Sequence, residues 1–384
     1  MTRRFPVAKP CLGELEEKYV LDAVRSGWVS SHGPYLRRFE EDFAARCGVP
    51  AAVATANGTV ALHLALAAAG IGPGDEVVVP ALTYVASANA VTYCGATPVF
   101  VDVSPATWCV DVAQVAAAVG PRTRAVLAVD LYGHPADYAA LRRLCDRHGL
   151  LLVADAAESF GASVAGRPVG ELADVSTFSF FGNKIITAGE GGCVTTARAD
   201  LAERMRLLRN QGMDPRRRYH FLEVGFNYRM TNVAAALLCA QMERSGQILG
   251  RREEILQRYD EGLAGALEPQ PVAPGVRRAP WMASFLVPAG APVGQRDRLG
   301  AALDRLGVET RPFFSPIPGL PPYAGAPRRP HPVATDLGRR GLNLPTYGDL
   351  TNSDVDEVVS RVRRALGSLG SPAEAPAAGR SSRV

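Results

Sequence analysis

Between residues 51 and 209, short apolar runs alternate with stretches whose apolar positions recur every three or four residues. The runs predict buried strands at 51–55, 76–80, 98–101, 125–130, 150–154 and 193–196, and a further strand beginning at Val175. The periodic stretches predict helices at 60–69, 86–94, 112–119, 137–148 and 201–209. Strands spaced by helices mean βαβ units and an α/β fold with a mainly parallel sheet. Such sheets place ligands at the carboxyl ends of their strands. Asp130, Asp155 and Lys184 are expected at such ends.

Two helices precede the alternation, at 14–26 and 35–46. On the first, Leu15, Tyr19, Leu21 and Val24 form the expected apolar face. After it come an Arg-rich loop at 214–219 and a helix of small apolar residues at 232–242. A helical stretch at 248–267 reads as the link to a second part. There a strand is expected at 282–287, helices at 295–306 and 353–366, and a proline-dense loop at 312–332. The expected organisation is an N-terminal arm with the large domain over 1–247 and a smaller α/β domain over 248–370. A Ser/Pro/Ala/Gly tail over 371–384 has the composition of a disordered segment.

Composition narrows the class. The chain has 384 residues, 47% of them hydrophobic, enough for a large core. A net charge of +4 is too small for a nucleic-acid binder. The seven cysteines are scattered, with neither CxxC pairs nor a Cys/His cluster, which argues against a disulfide framework or zinc site. The first residues lack a signal-peptide core and no run reaches membrane-spanning length. A soluble cytoplasmic protein is expected.

Lysine usage is the first chemical clue. Of 42 Lys and Arg residues, only those at 9, 18 and 184 are lysine. Arginine keeps its proton in proteins, whereas a buried lysine can lose it. A lysine retained at 184, between Ser176–Phe181 and the glycine-rich Gly189–Gly192, suggests a neutral amine able to form a Schiff base. In a β/α protein that points to pyridoxal phosphate, which makes three further demands. Asp155, after the apolar 150–153, can keep the ring nitrogen protonated. Gly58 and Thr59, at a helix start, can offer backbone N–H groups to the phosphate, with the Ser179 hydroxyl added. Tyr84 can lie flat against the ring. Each alone is as much at home as a helix cap, a strand hydroxyl or a half-buried aromatic. Their company with Lys184 favours the cofactor.

These segments resemble the sugar aminotransferases of the DegT/DnrJ/EryC1/StrS family over roughly residues 5–368. The resemblance is carried by Gly27-Trp-Val-Ser-Ser31, Asn57-Gly-Thr-Val-Ala-Leu62, Pro80-Ala-Leu-Thr-Tyr-Val-Ala-Ser-Ala-Asn89, Leu131-Tyr-Gly-His-Pro135, Asp155-Ala-Ala-Glu158, Ser179-Phe-Phe-Gly-Asn-Lys184, Gly189-Glu-Gly-Gly192 and Gly225-Phe-Asn-Tyr-Arg-Met-Thr231. It implies the fold type I aminotransferase architecture, Lys184 as the Schiff-base lysine and Asp155 on the ring nitrogen. It also implies Glu158 near the ring hydroxyl and Gly58, Thr59 and Ser179 at the phosphate. Asn227 would reach that phosphate from a partner subunit, so the working unit would be a homodimer. Phe180–Lys184, Arg217-Arg-Tyr219 and Pro312-Phe-Phe-Ser-Pro316 look most like the perosamine-synthase branch. That branch transfers an amino group from glutamate to C4 of a nucleotide-linked 4-keto-6-deoxyhexose. Glu at 158 is in keeping with action at C4. Arg217, Tyr219, Arg229 and Phe313 are the candidate substrate contacts, the arginines because guanidinium pairs bidentately with phosphate. The family usually has histidine where this chain has Pro318.

Other readings remain on the sequence alone. They are a C3 aminotransferase, a dTDP-linked sugar or keto-cyclitol as acceptor, a sugar dehydratase and a non-catalytic family member. The dehydratases replace the lysine with histidine, so Lys184 argues against them. A nicotinamide dehydrogenase fits poorly, because no G-x-G-x-x-G follows the first strands.

Overall fold

The computed structural model describes residues 3–325 and 329–370. The tail expected to be disordered lies outside the described residues. Helices α1 (Glu14–Arg25) and α2 (Pro34–Arg46) come first, and the β/α alternation starts where the apolar pattern puts it. It comprises β1 (Ala51–Thr55), α3 (Gly58–Ala68), β2 (Glu76–Pro80), α4 (Ala86–Tyr93), β3 (Thr97–Val101), α5 (Val112–Ala118), β4 (Thr123–Val129), α6 (Tyr138–His148) and β5 (Leu151–Asp155). A short hairpin follows, β6 (Ser163–Val164) and β7 (Arg167–Pro168), and then β8 (Val175–Ser179), β9 (Gly192–Thr196) and α7 (Ala199–Arg209).

Seven of these strands form one sheet in the order β1-β9-β8-β5-β4-β2-β3. The pairs β2–β3, β2–β4, β4–β5 and β5–β8 are parallel, while β9 runs antiparallel to β8 and β1. The mainly parallel α/β sheet is therefore present. Helices cover both faces of such a sheet, so its central strands read as unbroken apolar runs. β8 departs from this with Ser176 and Thr177, both buried. Their hydroxyls donate to the carbonyls of Val169 (3.1 Å) and Ala154 (3.2 Å), so no polar group is stranded.

Beyond α7 the chain forms α8 (Asn232–Glu243) and α9 (Ser245–Gly262), then the short β10 (Glu268–Pro269) and β11 (Val276–Arg277). β12 (Ala283–Leu286), α10 (Gln295–Arg305), β13 (Arg311–Pro312), α11 (Pro332–Arg340), β14 (Gly341–Leu344) and α12 (Asn352–Gly370) complete it. A second, antiparallel sheet has the order β10-β12-β14-β13. β11 instead joins β6 and β7 in a three-stranded sheet. A second apolar cluster gathers around Ile255, Tyr259, Phe285, Leu299, Leu344 and Val358.

Three features differ from the sequence reading. α11 and β14 follow the proline-dense stretch, where the sequence reading gave no element. The start of the arm belongs to the second cluster: Phe5 is buried there, its N–H donating to Gly307 and its carbonyl accepting from Glu309. On α1, Leu21 and Val24 face outward, while Glu16 and Ala23 are buried. Glu16 can go inside because Arg244 (2.6 Å) and the Gln241 amide (2.6 Å) meet its carboxylate.

Candidate active site

The carboxyl edge of the parallel strands is where the candidate residues gather. Asp155 ends β5, buried, with one carboxylate oxygen accepting from Ser87 Oγ (2.7 Å) and the other from the N–H of Ala157 (3.2 Å). Ser87 lies in the first turn of α4, so the loop after β2 delivers it. Burial pushes the Asp155 carboxyl up, and these hydrogen bonds and the amine of Lys184 oppose the shift.

Glu158 sits one turn on, and its carboxylate accepts the N–H of Tyr132 at 2.7 Å. Tyr132 holds that N–H in place from a left-handed backbone (φ 53°), which costs a non-glycine residue energy. Burial raises Glu158 to about 7, against the pull of Lys184.

Lys184 is not at the strand end itself. β8 stops at Ser179, and the chain makes a tight turn in which the Lys184 N–H donates to the Phe181 carbonyl (2.9 Å). Thr187 Oγ1 donates to the Phe180 carbonyl (3.0 Å), and the Phe180 N–H donates to Gly191 as β9 begins. The residue keeps a partial opening to solvent, but its amine end is enclosed. Desolvation lowers its pKa, while the Glu158 and Asp155 carboxyls raise it. Nζ lies 4.1 Å from the ring centroid of Trp281. Beside it, Asn183 Oδ1 is buried and has no hydrogen-bond partner among the described residues.

The third component is the start of α3. Asn57 caps it, its side chain accepting the Val60 N–H at 3.0 Å. Gly58 begins the helix so close to β8 that a Cβ there would lie 2.8 Å from the Ser179 Cβ. Gly192 lets β9 pass equally near, since a Cβ on it would fall 2.4 Å from the Asn57 carbonyl oxygen. Glycine at 58 thus brings free helix N–H groups beside the Ser179 hydroxyl, with Thr59 next in line, as an anion requires. A primary amine, two buried carboxyls, an unpartnered acceptor and an anion cradle are the donor set that an aldehyde cofactor with a cationic ring and a phosphate fits.

The remaining candidates stand apart. Tyr84 is 58% exposed and tilted against Phe314, 5.7 Å between ring centroids. Asn227 is exposed, its side-chain oxygen accepting from Arg229 Nε (3.1 Å) and Nη2 (2.9 Å). Arg217 and Tyr219 occupy an exposed loop where the Arg218 guanidinium covers the Tyr219 ring at 4.9 Å. No contact among the described residues joins Arg217, Tyr219, Arg229 or Asn227 to Lys184.

Phe313 needs correcting as a substrate contact. It is buried between Tyr132 (4.4 Å) and Trp108 (5.3 Å), and it is Phe314 that meets Tyr84. Pro318 lies in a 3-10 turn, Ile317–Gly319, anchored by the Ile317 N–H on the Ala81 carbonyl (2.8 Å). Ser87, Tyr132 and Trp281 are neighbours that the sequence reading did not single out. The first two lie inside quoted motifs; Trp281 carries no local signal.

A cavity of about 710 Å³ opens at the opposite, amino-terminal edge of the sheet, lined by Asp75, Arg124, Arg142, Asp174 and their neighbours. Its arginines are already paired, Arg124 with Asp75 and Arg142 with Asp146 and Asp174, and parallel sheets do not bind ligands at that edge. Size alone does not make it the site.

A lysine amine and two buried carboxyls at the carboxyl edge of an α/β sheet belong to the pyridoxal phosphate-dependent transaminases. The model of the DegT/DnrJ/EryC1/StrS aminotransferase family matches residues 10–363, and the chain belongs to that family. It is 49% identical over 366 residues to GDP-perosamine synthase of Caulobacter vibrioides, covering 94% of this chain and 98% of that one. Among solved structures, DesV of S. venezuelae superposes with a TM-score of 0.87 at 37% identity, covering 95% and 99% of the two chains. Spr1654 of Streptococcus pneumoniae, in its PLP-form, gives a TM-score of 0.91 at 28% identity over 95% and 99%. The protein is an aminotransferase and its cofactor is pyridoxal phosphate.

Proposed function

We propose that this enzyme transfers the amino group of glutamate to C4 of a nucleotide-linked 4-keto-6-deoxyhexose, GDP-linked in the first instance, giving a 4-amino-4,6-dideoxy sugar nucleotide. The observation that carries the chemistry is the enclosed Lys184 amine facing the buried carboxyls of Asp155 and Glu158. The choice of sugar rests on the near full-length likeness to GDP-perosamine synthase.

Pyridoxal phosphate, when bound, supplies an aldehyde that exchanges one amine for another and a ring that accepts the electron pair left as Cα loses its proton. Lys184 Nζ would anchor that aldehyde carbon, and desolvation, which lowers its pKa, favours the neutral, nucleophilic amine. With glutamate bound, Nζ would be the base that takes the Cα proton and the acid that gives it back. The same residues would serve both halves of the transfer, from glutamate and to the sugar ketone. Asp155, steadied by Ser87 and Ala157, holds the proton on the ring nitrogen. Glu158 holds the side of the ring hydroxyl. Gly58, Thr59 and Ser179 bind the phosphate, and Asn227 of the partner subunit completes the cradle. Tyr84 would lie along the ring, and Arg217, Tyr219 and Arg229 are the candidates to meet the nucleotide diphosphate.

A homodimer is part of this reading. Trp28, Val29, Phe221 and Leu222 are exposed, and Val224 is 90% exposed, an apolar surface that a second copy would cover. So is the division of the chain near residue 247 into a large and a small domain. A cytoplasmic setting accords with seven free cysteines.

The test is an assay of the purified protein with pyridoxal phosphate, glutamate and a panel of GDP- and dTDP-linked 4-keto-6-deoxyhexoses. Turnover is expected with the GDP-linked sugar, with parallel lines in initial-rate plots and none with Lys184→Ala. Intersecting lines, or an active Lys184→Ala protein, would overturn the mechanism. Sedimentation at the mass of one chain would remove the dimer.

A further inference from the structure

Trp281 has no part in the chemistry above, yet it is the aromatic ring against which the Lys184 amine rests. It precedes β12, so the second part of the chain brings it to the large sheet. Only 4% of it is exposed, and Nζ of Lys184 lies 4.1 Å from its ring centroid. A cation within ~6 Å of an indole face is attracted by the ring quadrupole, most of all where water is excluded.

The ring is fixed on several sides. Its Nε1–H donates to the carbonyl of Asn183 (2.9 Å), the residue next to the lysine. Its own carbonyl accepts from Arg252 Nη1 (3.1 Å), a buried guanidinium on α9 that also donates to the Thr346 carbonyl (3.1 Å). Tyr132 stacks on it at 6.2 Å and 18°, and the N–H of that tyrosine is the donor to Glu158. One framework therefore sets both the indole and the Glu158 carboxyl.

The charged and titratable groups facing Nζ are few. Asp155 comes from the end of β5 and Glu158 from the turn after it. From the second part of the chain come Trp281 and, behind its carbonyl, Arg252. A carboxylate in contact with an ammonium can take its proton. An indole face attracts the cation and has no lone pair with which to take it.

We propose that Trp281 is a positioning residue that receives the Lys184 ammonium formed when the free amine has taken up a proton from the substrate. The proton drawn from the substrate then stays on Nζ until it is returned, instead of passing to Glu158 or Asp155. This rests on the reading of Lys184 as the cofactor-bonding amine.

Because lysine occurs only at 9, 18 and 184, the test is direct. Full-length protein carrying 13C at lysine Cε, saturated with pyridoxamine phosphate so that the Lys184 amine is free, gives three lysine Cε signals by NMR. The Lys184 signal is expected upfield of the other two through the indole ring current. Trp281→Leu should abolish that displacement and lower the titration midpoint of Lys184 by about half a unit to one unit, the loss of a cation–π contact. Trp281→Phe, the milder change should the leucine variant fail to fold, should keep part of both effects. A Lys184 signal without ring-current displacement, or a midpoint unchanged in both variants, would overturn the proposal. Borohydride reduction of the pyridoxal phosphate-loaded protein separates the two failures. If the cofactor is trapped on Lys184 but the NMR effects are absent, Trp281 has no such role and the mechanism stands.

Discussion

Asp130 is a buried acid that the reaction does not use. It follows β4 and accepts from Ser159 Oγ (2.6 Å), Tyr138 Oη (2.7 Å) and the N–H of Ala136 (3.0 Å). Burial outweighs these donors and pushes it up to about 7. A folded-state pKa above the unfolded one means the folded chain keeps a proton that the unfolded chain has released. Stability from this group is therefore full below about pH 4 and falls as pH rises through 7. Glu158, raised to about 7, acts in the same sense. The melting temperature should decline from pH 5 to 8, and Asp130→Asn should make that decline shallower. A variant whose profile falls as steeply as the wild type would contradict the assignment.

At this scale Lys184 and Asp155 were readable, because their meaning lay in local runs and in the scarcity of lysine. Trp281 was not, because its hydrogen bond to Asn183, beside the lysine, exists only once chain 98 residues away folds back. Phe313 was misread for a related reason. Two adjacent phenylalanines look alike in sequence, and only packing decides that Phe313 goes inward and Phe314 toward Tyr84.

Among the elements, α11 shows how far apart a helix and its cap can be. Its first N–H groups, on Val333 (3.0 Å) and Ala334 (2.8 Å), donate to the carboxylate of Asp102, just past β3 and more than 230 residues earlier. The same carboxylate accepts the N–H of Val103 (2.9 Å). Asp102→Ala should cost about 0.5–2 kcal/mol in denaturant unfolding, the usual worth of a cap, while Asp102→Asn should lose less. An alanine variant as stable as the wild type would rule out the cap. Pro332 at the first turn is a helix-start signal, but it also closes a proline-dense stretch, and the loop reading prevailed. The β/α alternation from β1 to β5 was legible, since each strand there is a compact apolar run between periodic helices. The four-residue β14 has too short a pattern to be separated from loop.

For the whole molecule, two distant stretches of the chain share one functional edge. The large sheet supplies Asp155, Glu158, Lys184 and the start of α3. The second part of the chain supplies Trp281 and Phe314, and Arg252 on α9 ties its loops together. The apolar pattern gave the α/β class and the edge, but the reach of the second part across that edge is a tertiary fact with no local trace. Leu21 and Val24 on α1 face outward for the same reason: an amphipathic spacing in the sequence does not say which face packs against the rest of the chain.

The claim on which all of this depends is a covalent one. The measurement is reduction of the pyridoxal phosphate-loaded protein with borohydride, followed by peptide mass spectrometry. The account predicts a phosphopyridoxyl group on the peptide holding Lys184 and none on those holding Lys9 or Lys18. Label on either of those two, or an unlabelled Lys184, would contradict it.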